Sequence, residues 1–433
     1  MQPLGVPPWP AGMLLLPPGP GVEAVAAALV AGREPAEWPE ELAFVRLALR
    51  GDPRQAVRLV AGDDARSRYN RAVLVGGPDD WEALREEVLA AADAPLAALV
   101  ETARFSLGLT DVPPGVSPDA SLPGEVEAVA RAARASAAIE AGAPAAAAEE
   151  LDLAAAAAAA AERPLLSAAL RGTRAEVLRT GLGEPAAAAA EATTALALLP
   201  PDAAEDRRAE LLVARALARQ EAAGTSRPEL LAAVQDFQEA LKTYRESSHP
   251  EQFALCNLQL AVAYLVLPMT SDGDRIRQAV AVNALRSSLR VFRPETHPVE
   301  WASAQMNLAN SLQYLPSAHR RENLLEAVRL YDEILERRDG AHDPSGAARL
   351  LANQGNAMAH LGMLTEAAAR LRRARELFSQ AGMTEETADV DATLAELDRI
   401  EVGSRAGEGT GEGRVAGRRA EAAGRTSGGG SPG

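Results

Sequence analysis

Three evenly spaced prolines constrain this chain more than anything else in it. Pro250, Pro298 and Pro344 lie 48 and 46 residues apart, and each follows an Ala-Val pair by 17 residues: Ala233-Val234, Ala281-Val282 and Ala327-Val328. Behind the prolines come Phe253-Ala254, Trp301-Ala302 and Ala347-Ala348, then Gln259, Asn307 and Asn353 in register. Proline suits the first position of a helix, where its missing N–H would have no partner anyway, so each one predicts a helix start. The stretch His297 to Arg338 carries the pattern through two helices. Trp301, Met306, Leu308, Leu312 and Leu315 recur at helical spacing, and after a polar break so do Leu324, Leu325, Val328, Tyr331 and Leu335. This is a hairpin of two amphipathic helices, which cannot bury its apolar faces alone and needs copies of itself to stack on.

Composition fixes the class. Hydrophobic residues are 47 % of the 433 but aromatics only 3 %, and runs such as Ala154 to Ala161 favour helix strongly and strand hardly at all. The predicted fold is all-α, long enough for two or three domains or one extended array. A net charge of −16 argues against nucleic acid or an anionic membrane as partner, because both demand a concentrated positive field. Cys256 is the only cysteine, which excludes an intrachain disulfide or a Cys-based zinc site and makes a reducing cytoplasm the expected compartment. The start, MQPLGVPPWPAGMLLLPPGPG, has no basic residue, and its apolar run Met13 to Leu16 is stopped by Pro17 and Pro18. It is read as neither signal peptide nor anchor, and no later apolar run reaches membrane length.

Along the chain, residues 1–21 are expected to form an irregular arm. Residues 22–200 read as short amphipathic helices punctuated at Gly51-Asp52-Pro53, Gly76-Gly77-Pro78-Asp79, Gly142, Pro164 and Gly183 to Pro185. Asp111 to Gly124 is the clearest internal break. Residues 201–402 hold the countable repeat, ending in a helix near 384–400 that is expected to cap the array. Pro268 to Arg275 and Pro316 to Arg321 are polar insertions between helices. The Gly/Arg/Ser-rich tail, 403–433, lacks apolar periodicity and is expected to be disordered.

From about 205 to 400 these residues resemble tetratricopeptide repeats (TPR), in the long-period bacterial form where a P-x-x-W-A-x-x-Q-x-N-L-A/G helix precedes a loop and an L-x-E-A-V-x-x-Y helix. Gly355, Met358, Gly362, Ala367, Leu371 and Ala374 fall where the ordinary short form places its packing residues. Gly183, Ala188, Ala192, Ala195 and Pro200 match more weakly, and residues 22–200 keep the helix-pair rhythm without the motif. The resemblance implies a right-handed α-solenoid of antiparallel helix pairs, a TPR-like superhelix whose first helices line a concave groove. The packing logic stands without the name: small residues at Ala309, Ala327 and Gly355 let helices approach, and Trp301, Tyr331 and Leu371 fill the gaps that remain.

No catalytic constellation emerges. His249 and His297 invite comparison with a metal pair, yet both precede a helix-starting proline and the third copy has Asp343, so they read as helix-entry residues. His319 and His342 have no ligand-spaced companion. The acidic doublets Glu40-Glu41, Glu149-Glu150 and Glu385-Glu386 read as solvated faces or first turns, and Cys256 as a small buried hydrophobe. The expectation is no enzyme, no metal and no cofactor.

One polar pattern repeats. Asn307 and Asn310 recur as Asn353 and Asn356 on the first helices of adjacent pairs, three apart and therefore on one helical side. In the resembled family an Asn just after the small packing residue bonds a bound peptide's backbone, the place of Asn310 and Asn356. With Gln313, Tyr314, Arg349 and His360 nearby, they define a candidate groove of amide and cationic donors suited to an extended peptide or an acidic side chain. A second role is open to Asn307 and Asn353, the pairing of neighbouring backbone between repeats. The family's carboxylate clamp needs lysines where Met306 and Ala352 stand, so that route to a C-terminus is not expected. The function expected is a non-enzymatic scaffold or adaptor that binds a protein or peptide segment in the groove, including in the assembly of a multiprotein complex. The alternative is a peptide-sensing regulator acting on a separate output protein.

Overall fold

Proline starts helices throughout the computed structural model, which describes residues 13–115, 122–200, 204–267, 274–315, 317–337 and 343–400. The tail 403–433, residues 1–12 of the arm, the middle of the 111–124 break, Pro316, and residues 268–273 of the earlier insertion lie outside the described residues. The chain divides into two compact units, Met1–Pro268 and Met269–Gly433.

Unit 1 contains α1 (Val22–Val30), α2 (Ala43–Leu49), α3 (Pro53–Ala56), α4 (Ala65–Val75), α5 (Pro78–Ala90), α6 (Ala94–Ser106) and α7 (Gly124–Glu140). It continues with α8 (Pro144–Ala160), α9 (Pro164–Glu176), α10 (Pro185–Leu198), α11 (Glu205–Ala222), α12 (Arg227–Thr243) and α13 (Pro250–Val266). Unit 2 contains α14 (Asp274–Ser288), α15 (Pro298–Tyr314), α16 (Arg320–Arg337), α17 (Pro344–His360), α18 (Leu364–Gln380) and a last helix, α19, over 384–400. In each unit consecutive helices pack pairwise, and alternate ones also touch: α9 with α11, α11 with α13, α15 with α17. Within each unit the described residues thus form all-α packed helix pairs.

The turns between helices repeat one hydrogen-bonded cap. At the end of α17, Gly362 N donates to Ala359 O and Met363 N to Met358 O, with Gly362 at φ +81°. This is the glycine-terminated cap in which a left-handed residue lets the last carbonyls be satisfied. Gly142 and Gly382 repeat it after α7 and α18, and a proline two residues beyond Gly142 starts α8.

Unit 1 builds its middle from alanine. Ala128, Ala147, Ala154, Ala155 and Ala158 are fully buried between α7, α8 and their neighbours, so the helices approach closely while each side chain removes little apolar area. Polar ties supplement that packing. Arg163, before α9, pairs with Glu125 of α7, whose carboxyl burial pushes above the usual range against the pull of the arginine. Arg215 grips Asp236 through two bonds of 2.9 and 2.6 Å, joining α11 to α12.

Over residues 14–19 the backbone is irregular, yet it is part of the core. Leu14, Leu15 and Leu16 are 0, 2 and 7 % exposed, packed with Phe44, Tyr69 and Trp81. Asn70 of α4 holds this segment from the side: Leu15 N donates to its Oδ1 at 2.7 Å, and its Nδ2 donates to Leu15 O at 2.8 Å. A side-chain amide here completes the pairing of an extended backbone as a neighbouring strand would.

In unit 2, α17 and α18 meet at Gly355. A Cβ there would lie 2.8 Å from Leu371 Cγ and 3.2 Å from Ala367 O, so only glycine permits this approach without displacing a neighbour. Val390 and Leu397 of α19 close the core over Leu371 and Phe378. Among the described residues no helix is long and apolar enough to cross a membrane.

Candidate functional site

The repeated asparagines of unit 2 do different things. Asn307 bonds within its own helix, Nδ2 donating to Ser303 O at 3.0 Å. Asn353 reaches across the repeat, its Nδ2 donating to Asn310 Oδ1 at 3.0 Å. Tyr331 of α16 donates its hydroxyl to the same Oδ1 at 2.5 Å and accepts from Gln313 Nε2, whose other bond runs to Asn353 O at 3.3 Å. Every donor in this chain has one direction, and its consequence is an orientation: Asn310 Oδ1 is used twice from behind, leaving its Nδ2 with no partner among the described residues.

Gln313 is buried at 4 % exposure and anchors the network from beneath. Tyr331 is fully enclosed, and burial raises its hydroxyl well above the ordinary phenol range. The tyrosine therefore fills the gap expected of it and also fixes the amide of Asn310.

Asn310, Arg349, Asn353 and Asn356 line one cavity of about 370 Å³, with Met306, Ala352, Leu371 and Phe378 among its apolar walls. Asn353 Oδ1 and the whole amide of Asn356 make no hydrogen bond to described residues. Free donors and acceptors thus belong to residues that line the cavity, while Tyr331 holds the Asn310 amide, Asn310 holds that of Asn353, and Gln313 bonds the Asn353 main chain. Asn307, Gln313, Tyr314 and His360 do not line this cavity: Asn307 bonds along its own helix, Gln313 is buried, and the last two are exposed.

Sequence reasoning missed the fourth wall. Glu386, Asp389, Val390 and Thr393 of α19 also line the cavity. Their spacing of three, one and three residues is one helical face, so periodicity in the capping helix was the available signal. Arg349, the expected cation, stands 3.6 Å from Glu386, with the two side chains 60 % and 38 % exposed. A second cavity of about 650 Å³ shares Met306 with the first and is lined by Pro298, Val299, Trp301, Ile334 and Leu350. Arg337 lies over the Trp301 ring at 5.5 Å.

The histidines that suggested a metal pair have a packing role. His249 and His297 precede α13 and α15 at φ −139° and −137°, and each packs at a tilt against an aromatic five residues earlier, Tyr244 at 5.4 Å and Phe292 at 5.3 Å. Their Nδ1 atoms meet Ser248 and Thr296 hydroxyls. In the third copy Asp343 accepts from Gly346 N at 2.8 Å, a side-chain cap. Among the described residues no group of three His, Cys, Asp or Glu is placed to hold a metal ion. Cys256 is 1 % exposed and burial pushes its thiol up to about 12, far from the thiolate a nucleophile needs.

No family model and no curated protein matches the chain. Among solved structures it is similar to the apo form of RapI, at 13 % identity and a TM-score of 0.46 over 84 % of this chain and 98 % of that one. A Rap protein complexed with competence and sporulation factor aligns at 15 % identity and 0.41, over 84 % and 99 %. The TPR2AB-domain:pHSP90 complex of yeast Sti1 aligns at 15 % and 0.25, over 63 % and 98 %.

Proposed function

We propose that this protein is a peptide-binding helical-repeat adaptor, in which a partner's extended segment docks in the cavity between α15, α17, α18 and α19. One observation carries the reading: amide groups of Asn310, Asn353 and Asn356 converge on a cavity with hydrogen-bonding capacity that no described residue uses. An unpaired amide in water loses nothing, but one held rigid beside buried Leu371, Phe378 and Val390 is poised for a backbone N–H or C=O. An extended segment presents those groups in alternation and needs no particular sequence to do so. Asn70 supports the reading from within the same molecule, because it binds the Leu15 backbone through both ends of its amide. Docking is reversible and changes no covalent bond.

The test is a random dodecapeptide phage library selected on the full chain, with affinities then measured for the peptides recovered. Asn310→Ala with Asn356→Ala removes three outward-facing hydrogen-bonding groups and should weaken recovered peptides by about tenfold or more, at about 1 kcal/mol for each bond lost. Recovered peptides that bind this double variant as tightly as the parent would place binding elsewhere.

A further inference from the structure

We infer that the segment docked in this cavity carries a cationic side chain against Asp389. This rests on the peptide-docking proposal and adds the charge of the ligand to it. From the repeat alone Arg349 marks the groove as a site for an acidic side chain, but α19 changes the balance. Two carboxylates and one guanidinium line the cavity, and the guanidinium already faces Glu386 at 3.6 Å. Asp389 has no cation partner among the described residues. An acidic side chain entering here would meet an engaged Arg349 and a free Asp389. A guanidinium or ammonium would meet a free, exposed carboxylate at the edge of an apolar floor. The chain's net charge of −16 works in the same direction over longer range, favouring the approach of a basic segment.

The phage selection decides this with two further variants. On the parent chain, recovered dodecapeptides should hold an excess of Arg and Lys over the input library, and Asp389→Asn should weaken them by up to about fivefold, the range of a solvent-facing ion pair. Selection on Asp389→Arg should lose that excess and turn toward Asp and Glu. Because any acidic protein attracts basic peptides, the decisive sign is the reversal at one residue and not the excess itself. Peptides that depend on Asn310 and Asn356 but show no cation excess, or keep it on Asp389→Arg, would overturn the charge assignment and leave the groove standing. Peptides indifferent to the asparagine pair would overturn both.

Discussion

Unit 1 and unit 2 each hold a buried-edge asparagine amide, and they differ in whether the amide is used. Asn70 is 4 % exposed and gives both its ends to Leu15, whose flanking leucines fill the core around Tyr69 and Trp81. Asn310 gives its oxygen to Tyr331 and Asn353 and keeps its nitrogen free, and Asn356 keeps both ends free. The same chemical group is therefore a structural clamp where the chain supplies an extended segment, and an open one where it does not. What separates them is the apolar load on the segment: Leu14 to Leu16 bring hydrophobic burial that holds the clamp shut.

The largest effect should come from opening the closed clamp. Asn70→Ala leaves the N–H and C=O of Leu15 buried without partners, at about 1–3 kcal/mol for each orphaned group. Hydrogen exchange resolved by peptide should show lost protection around residues 13–16 and in α4, with unit 1 less stable by about 2–6 kcal/mol. Asn356→Ala should change unit 2 by no more than about 0.5 kcal/mol, since it removes no bond. Equal costs in the two units would mean that Asn356 is as structural as Asn70, and the contrast would fail.

A smaller effect should come from loosening the open clamp without touching it. Tyr331→Phe removes the hydroxyl that accepts from Gln313 and donates to Asn310, at a cost of about 1 kcal/mol. Asn310 Oδ1 then keeps only the bond from Asn353, so its amide is held less firmly and peptide affinity should fall while Asn356 is unaltered. The variant also has a pH signature. Burial raises the Tyr331 hydroxyl above the ordinary value of about 10, so the folded chain keeps a proton the unfolded chain releases. Its stabilising contribution is complete below about pH 10 and is lost as pH rises beyond it. Tyr331→Phe should flatten that alkaline loss in unit 2 and leave it in unit 1, where burial raises Tyr69 in the same way.

These two clamps also mark how far the sequence can be read. Helix starts were legible because proline acts through its own ring: Pro144, Pro164, Pro185, Pro250, Pro298 and Pro344 all stand at the first turn. Gly355 and Leu371 were legible as a packing pair because the repeat spaces them. The Leu14 to Leu16 segment was not, since three apolar residues among prolines have no period and their partner Asn70 is 55 residues from Leu15. The asparagine register was visible, but which end of each amide is used depends on Tyr331 and Gln313, and hydrogen-bond direction has no signature in spacing. Glu386 and Asp389 come from a helix outside the repeat motif, so a reading organised by the repeat assigned the cavity one cation and no acid.

The smallest effect separates the units at their turns. In unit 2 the left-handed position after α17 is Gly362 and after α18 Gly382; in unit 1 glycine makes the cap after α6 and α7, at Gly108 and Gly142, but Ala92 makes it after α5 and Glu162 after α8, at φ +55° and +58°. A side chain in that region costs about 1–2 kcal/mol because Cβ crowds the following carbonyl oxygen, a strain glycine does not have. Glu162 is exposed, so its replacement removes little packing. Glu162→Gly should raise the stability of unit 1 by about 1 kcal/mol, less than the full strain because glycine also gains freedom in the unfolded chain. Gly362→Ala should lower that of unit 2 by a similar amount, and a Cβ at Gly362 meets nothing within 4 Å, so backbone conformation alone is measured. Denaturation midpoints that move together in these two variants would show that the turns do not carry the strain assigned to them.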